Sequence, residues 1–324
     1  MHQSVRSLIL AAGMALLTQS HAQDAYPARP VKLIVHTTAG SASDAIARML
    51  GEELGRRLGQ PVVIDNRPGA GGSIGADLVA KAPADGYTLL AGASSVMVML
   101  PAVSQRKLPY DTDKDFAAIG RVATSPFLLV VNGDSRIKSL ADLIAAAKAQ
   151  PSKLTYASAG QATNPHLLGE MLASITDTRL LHVAYKGPGP AQMDLLGGVV
   201  DMQFDTPSAT MQLIKSGKLR ALATTGEKRL AALPDVPTVS ELGHPQLQLL
   251  GWTGLYAPRA TPPTVVQKLQ VALKEAVATP KVKADLAAMG QEPDGMVGDA
   301  LVQEQRKSRE VWRRLATDRH ITLN

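Results

Sequence analysis

Glycines at a spacing close to that of a nucleotide-binding loop occur in the stretch 64–82, IDNRPGAGGSIGADLVAKA. A dinucleotide-binding loop requires the spacing G-x-G-x-x-G. Here Gly69 and Gly71 fit the first two places, but Ile74 fills the third. A phosphate-binding P-loop requires Gly-Lys-Ser/Thr after its first glycine, and this stretch has no such sequence. These glycines therefore serve something other than a pyrophosphate.

Two further groups of residues have the chemistry of an active site without its full pattern. Ser158 lies in YASAG, a near match to the G-x-S-x-G nucleophile elbow of hydrolases, but Tyr156 replaces the first glycine. His166 and Glu170 are spaced i, i+4 on one helix face, and no second pair of metal-ligating residues accompanies them. We therefore predict a binding protein with no catalytic residue, metal or other cofactor. An exported α/β hydrolase is the alternative.

Six loops rich in small and polar residues come directly after predicted strands. In an open α/β sheet, ligands bind outside the carboxyl ends of the strands. Such loops offer backbone N–H groups and hydroxyls at helix N-termini, where partial positive charge favours a carboxylate or another small anion. Ser94 and Asp205 are candidate ligand-binding residues in two of them. The loops are TTAGSASD (37–44), NRPGAGGS (66–73), AGASS (91–95), SAGQATN (158–164), YKGPGP (185–190) and FDTPSA (204–209).

The elements around these loops form two βα series. Alternating strands and helices predict an α/β fold of mostly parallel sheets flanked by helices. A proline-bearing connection separates the series, and a late strand and C-terminal helices follow the second one. We therefore expect two lobes with two crossings between them: residues 23–124 and 246–324 form lobe 1, and residues 125–245 form lobe 2. The predicted strands include 31–37, 62–64, 88–93, 119–123, 127–131, 154–157, 182–185, 200–204, 219–224 and 249–256.

Residues 1–22 have the pattern of a secretory signal peptide, with Arg6, an apolar stretch and a small-residue end at Ala22. The alternative is an amphipathic N-terminal helix. The chain contains no cysteine, so neither disulfides nor a lipid-anchor cysteine is available. The net charge of +6 is spread along the chain and aromatic residues make up only 3%, which argues against nucleic-acid binding. We expect a soluble, exported, periplasmic protein.

Five long motifs in the sequence are similar to those of a known family. They are RLGQPVVIDNRPGAGGSIGADLVAKAPADGYTLL (57–90), LTYASAGQATNPHLLGEML (154–172), HVAYKGPGPAQMDLLGGVVDMQFD (182–205), SGKLRALATTGEKRLAALPDVPTVSELG (216–243) and GLYAPRATPP (254–263). Together they resemble the Bug receptors, the extracytoplasmic solute-binding proteins of tripartite tricarboxylate transporters. The resemblance runs from about Tyr26 to the C-terminus. It implies a type II periplasmic binding protein, a monomeric Venus flytrap that closes on a small carboxylate and docks on a membrane permease.

The resemblance also implies which residues bind the ligand. In that family, the loop after the first strand and the Ser-Ala-Gly loop hold one ligand carboxylate, largely through backbone amides, hydroxyls and waters. The glycine loop 69–73 becomes a tight turn at the edge of the cleft, and His166 lies just behind the second loop. Carried over to this sequence, the binding residues are Gly40, Ser41, Ala42 and Asp44 in the first loop, and Ser158, Gly160, Gln161, Ala162 and Thr163 in the second.

The first loop departs from the family pattern. The family usually has Pro-Phe-Pro-Pro-Gly-Gly where this chain has His36-Thr37-Thr38-Ala39-Gly40-Ser41. Loss of the prolines predicts a looser loop, and loss of the aromatic residue changes one wall of the cleft. Ala162 replaces a glycine in the second loop, which disfavours positive φ there. The ligand therefore stays open among dicarboxylates, tricarboxylates, acidic amino acids and aromatic acids, as does the choice between uptake and sensing.

Overall fold

The computed structural model of the protein describes residues 26–104, 106–161 and 163–318. The predicted signal peptide, 1–22, and the predicted binding residue Ala162 lie outside the described residues. Within these ranges, no helix is both long enough and apolar enough to cross a bilayer. The described chain forms two β-sheets, of six and five strands, each flanked by helices.

The first sheet combines strands from both ends of the described chain. Its strands are β1 (Val31–Val35), β2 (Val62–Asn66), β3 (Thr88–Ala93), β4 (Phe116–Pro126), β10 (Leu250–Pro258) and β11 (Glu292–Pro293). They lie in the order β11-β4-β10-β3-β1-β2. Strand β1 is parallel to β2 and β3, whereas β10 is antiparallel to both β3 and β4, and β11 is antiparallel to β4.

The second sheet contains the middle of the chain. Its strands are β5 (Leu128–Asn132), β6 (Thr155–Ser158), β7 (Leu181–Ala184), β8 (Met202–Asp205) and β9 (Leu219–Thr224), in the order β7-β6-β8-β5-β9. Strand β6 is parallel to β7 and β8. Strand β5 is antiparallel to β8 and β9.

The predicted two-lobed, helix-flanked α/β architecture is confirmed, with parallel pairing inside each βα series. Both sheets are mixed rather than mostly parallel, because the first strand after each crossing, β5 or β10, runs against the βα units of the sheet that it joins. The chain leaves the first sheet through β4 and enters the second through β5, and it returns from β9 to β10. A βα series predicts parallel pairing within itself, but not the direction in which a strand arriving from the other sheet joins it.

Ten α-helices among the described residues cover the sheets. Helix α1 buries Ile46, Leu50, Leu54 and Leu58, the apolar face that its 3.6-residue periodicity predicts. Its ends follow helix-capping rules, with Ser41 as N-cap and Gly59 at φ 71° as C-cap. The helices are α1 (Ala42–Leu58), α2 (Ser73–Ala80), α3 (Leu100–Val103), α4 (Leu140–Ala149), α5 (Asn164–Ile175), α6 (Pro188–Leu196), α7 (Pro207–Lys215), α8 (Pro263–Ala278), α9 (Pro280–Ala288) and α10 (Asp299–Asp318).

The two segments that cross between the sheets are hydrogen-bonded to each other. Phe127 N–H donates to Thr225 Oγ1 (2.8 Å), and Thr225 N–H donates to Phe127 O (2.9 Å). The Thr225 hydroxyl donates to Leu249 O (2.6 Å), and Leu249 N–H donates to Thr225 O (3.1 Å). Thr225 is fully buried. One threonine therefore joins both crossings at a single point between the sheets.

Candidate functional site

A cavity of about 200 Å³ lies between the two sheets, where β1, β3 and β8 end. This is the sheet edge at which the loop sequences predict a ligand site. We call it the ligand cavity. From the first sheet and its loops it is lined by His36, Thr37, Ala42, Ser43, Ile46, Ala93, Ser94, Ser95, Ser125, Gly251, Trp252, Thr253 and Gln291, and from the second by Phe127, Thr163, Asn164, Pro165 and Thr206.

The lining of the ligand cavity is uncharged. Among the described residues that line it there is no Asp, Glu, Lys or Arg. His36 is buried, and Nδ1 of its ring lies 2.9 Å from Ala91 O. Burial lowers the pKa of His36, which keeps the ring neutral at physiological pH. An anionic ligand would therefore meet dipoles and hydrogen-bond donors here rather than a positive side chain.

Asp44 organises the first loop without lining the cavity. Its carboxylate is 3% exposed and accepts hydrogen bonds from Gly40 N–H, Asn66 Nδ2 and Arg48 Nε, each at 2.9 Å. Burial opposes ionisation of Asp44, but these hydrogen bonds and the Arg48 charge outweigh it and lower the pKa of Asp44. Because its oxygens are occupied within the protein, Asp44 holds the loop and is not placed to bind a ligand directly.

Hydrogen bonds restrain this loop in place of the prolines that the sequence lacks. The hydroxyls of Thr37 and Ser41 lie 2.6 Å apart, and Asn66 Nδ2 donates to Thr37 O (3.0 Å). Gly40 turns the chain at φ 81°. A polar network built on Asn66 and Asp44 therefore constrains the loop where the prolines are absent, and the looser loop stays a prediction.

The N-terminus of α1 presents free donors to the ligand cavity. The first N–H groups of any helix lack intrahelical acceptors. In α1, Ser41 accepts the N–H groups of Asp44, through its hydroxyl, and of Ala45, through its carbonyl. This leaves the N–H groups of Ala42 and Ser43 without a partner among the described residues, and both residues line the cavity. The positive end of a 17-residue helix therefore points its donors at this space.

Helix α5 begins at the opposite wall of the cavity. Thr163 is its N-cap, but the Thr163 hydroxyl donates to Gly160 O (2.7 Å) and does not cap the helix. Asn164 is 8% exposed, and its Nδ2 donates across the cleft to Ser94 Oγ (3.2 Å). Its other side-chain atom, Oδ1, is buried with no hydrogen-bond partner among the described residues. A buried acceptor of this kind normally has a donor, so Oδ1 is placed to accept from water or a ligand hydroxyl, and the second N–H of Nδ2 can donate to a ligand oxygen.

Ser158 and Gly160 support this loop from beneath. The Ser158 hydroxyl is fully buried, donates to Gly160 O (2.9 Å) and lies 2.7 Å from His182 Nε2. The His182 ring stacks between those of Tyr156 and His166, with centroids 4.8 and 4.0 Å away. Burial lowers the pKa of His166 to about 3 and that of His182 to about 4. Ser158 therefore belongs to a neutral, packed cluster beside the cavity and is not exposed to a substrate.

Only some of the predicted binding residues line the ligand cavity. Ala42, Ser94 and Thr163 line the cavity, whereas Gly40, Ser41, Asp44, Ser158, Gly160 and Gln161 do not. Gly40 and Gln161 are exposed. Within the described residues, no group of three His, Cys, Asp or Glu side chains is arranged to hold a metal ion, and His166 Nε2 lies 3.9 Å from Glu170 Oε1.

Asp205 lies outside the cavity lining, next to the lining residue Thr206. Its carboxylate accepts hydrogen bonds from Thr206 N–H (2.7 Å) and Gln203 Nε2 (2.9 Å). Burial raises the pKa of Asp205 to about 6, against a smaller opposing effect of Thr206. Because this pKa is raised in the folded state, the stability from the protonated form is fully present below about pH 4. It is lost as the pH rises through 6.

We expect Asp205→Asn to stabilise the protein at pH 7 by up to about 3 kcal/mol, because the folded state no longer holds a buried carboxylate. The amide keeps the acceptor for Thr206 N–H, and the unpaired Oε1 of Gln203 becomes available to accept from it. Melting temperatures at pH 7 and pH 4 check this. The gain in melting temperature should be much smaller at pH 4 than at pH 7. An equal gain at both pH values would contradict the raised pKa of Asp205.

The glycine loop 69–73 and the first turn of α2 pack behind His36. A Cβ on Gly72 would meet His36 Cδ2 at 2.7 Å, and one on Gly75 would meet His36 Cα and Arg67 O at 3.1 Å. Gly72 also has φ 95°, which disfavours any other residue. These glycines therefore let the loop approach a cavity-lining side chain closely.

Sequence reasoning missed several lining residues. Asn164 ends a loop that was recognised, but nothing in its type distinguishes it from an ordinary helix residue. Trp252 is 8% exposed and both packs in the core and lines the cavity. Gly251 carries a usable signal, since a Cβ there would meet the Phe127 ring at 3.0 Å and Asn164 Nδ2 at 3.4 Å. A glycine in a buried strand indicates such a close approach.

Comparison with known proteins agrees with this geometry. The family model described as tripartite tricarboxylate transporter family receptor matches residues 46–318. Protein BugT of Bordetella pertussis is 39% identical over 270 residues, which cover 83% of each chain. The structure of Rpa4515 from R. palustris with adipate has a TM-score of 0.84 at 32% identity and covers 92% of this chain and 99% of that one.

A second solved structure extends the comparison. MatC (Rpa3494) from Rhodopseudomonas palustris, with bound malate, has a TM-score of 0.81 at 31% identity, and the match covers 90% of this chain and 99% of that one. Proteins of this group bind solutes and are not enzymes, which agrees with the burial of Ser158. The chain belongs to the family of tripartite tricarboxylate transporter receptors and is a solute-binding protein of the Bug type.

Proposed function

We propose that the protein is a periplasmic receptor that captures a small carboxylate between its two lobes for a tripartite transporter. The observation that carries this proposal is the meeting of two helix N-termini, those of α1 and α5, at one uncharged cavity. The N-terminus of α1 favours an anion through the free N–H groups of Ala42 and Ser43, and the dipoles of both helices favour negative charge at this point. A carboxylate held between them would bind both lobes at once.

The size of the ligand cavity supports a compact ligand. Its volume of about 200 Å³ is below the roughly 300–1,000 Å³ of pockets that take drug-sized molecules. Adipate and malate, named with the two related structures, are small carboxylates. The polar lining, with hydroxyls from Ser94, Ser95 and Thr253, also suits a ligand that carries further oxygen atoms.

We propose that the receptor is exported by residues 1–22, acts as a monomer and docks on membrane permease subunits. Its lobes are residues 23–124 with 246–324, and residues 125–245. The hinge lies where Phe127, Thr225 and Leu249 are joined by hydrogen bonds. A ligand shifts an open–closed equilibrium only if it contacts both sides, and the Asn164–Ser94 hydrogen bond across the cleft belongs to the closed arrangement.

We expect ligand binding to make the protein more compact. A library of carboxylates is screened first by thermal shift, because a ligand bound only by the folded state raises the melting temperature. Small-angle scattering with each stabilising carboxylate should then show a smaller radius of gyration than for the free protein, whereas its neutral amide should leave the radius unchanged. No stabilising carboxylate in the library, or an unchanged radius at saturation, would contradict the proposed function.

A further inference from the structure

A second cavity, of about 440 Å³, lies directly behind the ligand cavity. We call it the rear cavity. The two cavities share two lining residues, Ser94 and Trp252. Ser94 is small and 2% exposed, so the bulk between the two spaces is the indole of Trp252. One side chain therefore separates the ligand cavity from a space about twice its volume.

The position of Trp252 is fixed by the sheet. Strand β10 lies between β3 and β4, and Trp252 pairs with Thr124 of β4. The next residue, Thr253, pairs with Ala93 of β3, directly before Ser94. A residue in the middle of a six-stranded sheet has little freedom to move its backbone. The indole is therefore a fixed wall and not a mobile gate.

The rear cavity suits an uncharged chain. Its apolar lining residues are Val98, Met99, Pro245, Leu249 and Leu250, and its polar lining includes Gln248, Ser308 and the carboxylates of Glu227 and Glu304. Its cationic group, Arg121, is neutralised, because Nε and Nη2 contact Asp294 Oδ2 at 2.8 and 2.7 Å and Nη1 donates to Glu304 at 2.6 and 2.8 Å. A second ligand carboxylate would find no unpaired cation there, whereas methylene groups would find apolar surface.

We propose that Trp252 sets the upper length of the ligand by closing the ligand cavity against the rear cavity. The inference rests on the proposed function, that a carboxylate binds at the N-termini of α1 and α5. With the indole removed, an acid anchored there extends its alkyl chain into the rear cavity. Each methylene buried in this way strengthens binding by about fourfold.

Two homologous series test the role of Trp252 in titration calorimetry: straight-chain monocarboxylates from butyrate to decanoate, and dicarboxylates from succinate to sebacate. For the parent, we expect affinity to be greatest for short members and to fall at least about tenfold for long ones. In Trp252→Ala, long monocarboxylates should gain at least about tenfold, while short members lose affinity or stay unchanged. Trp252→Leu, which preserves more of the core, should show the same gain if Trp252→Ala does not fold.

The matched control is Leu250→Ala, which enlarges the rear cavity from the same strand but leaves the indole in place. It should keep the parent's length limit. Provided that short acids bind, three results would each overturn the role of Trp252. The parent could already bind long acids, the Trp252 variants could keep the parent's length limit, or Leu250→Ala could gain as much affinity for long acids as the Trp252 variants do. If the parent binds no member of either series and no carboxylate of the wider library, the proposed function itself fails.

Discussion

Asp44→Ala is expected to weaken carboxylate binding by one to two orders of magnitude, roughly 1.4 to 3 kcal/mol. The substitution leaves Gly40 N–H and Asn66 Nδ2 without their acceptor, although no cavity-lining side chain is removed. The loop that positions the free N–H groups of Ala42 and Ser43 then loses its constraint. Titration calorimetry with a carboxylate identified by thermal shift measures the effect, and melting of the free protein reports the accompanying loss of stability.

Asp142→Ala is the matched control for this substitution. Ser139 caps α4 as Ser41 caps α1, and Asp142 accepts from Lys138 N–H (3.0 Å) as Asp44 accepts from Gly40 N–H. The α4 cap lies outside the ligand cavity. Asp142→Ala should therefore lower the melting temperature by a few degrees and leave affinity unchanged. If the affinity of Asp44→Ala is within about twofold of that of the parent, Asp44 only caps the helix and does not position the loop for the ligand.

Asn164→Asp is expected to weaken carboxylate binding by about two to three orders of magnitude at pH 7. The side chain keeps its shape but places a negative charge in a cavity whose described lining has no cation. Two like charges about 4 Å apart repel by about 4 kcal/mol at the effective dielectric of partly buried sites. Because burial raises the pKa of such a carboxyl, affinity should partly return as the pH is lowered.

Two comparisons separate the effect of charge from other effects of this substitution. Asn164→Ala removes the hydrogen bond to Ser94 without adding charge, and it should cost about tenfold. Gln150→Glu adds the same charge at an exposed position after α4, where solvent and salt screen it, and affinity should stay near that of the parent. If Asn164→Asp binds as tightly as Asn164→Ala at pH 7, the ligand carboxylate does not lie at the N-terminus of α5.

The sequence predicted the parts of this protein that depend on local patterns. The apolar spacing of α1, its Ser41 cap and the position of the loops at one sheet edge follow from periodicity and from βα alternation. The direction of β5 and β10 did not follow, because pairing between distant strands depends on where the chain crosses between sheets.

Within the site, the sequence identified the loops better than the contact residues. Asp44 and Ser158 are polar residues in these loops, but each is occupied by neighbours that a sequence does not bring together, Asn66 for Asp44 and His182 for Ser158. Trp252 and Asn164 reach the cavity through tertiary packing across the cleft. Tertiary packing decides which residues of a loop face the ligand, and the local sequence does not show it.

A crystal structure of the complex with the carboxylate that stabilises the protein most is the most direct test of the account. We predict one carboxylate group with its oxygens about 3 Å from the N–H groups of Ala42 or Ser43 and from Asn164, so that both lobes contact it. The same structure should show no Lys or Arg side chain bound to that carboxylate. A ligand held by one lobe alone, or by a cationic side chain outside the ligand cavity, would contradict the account.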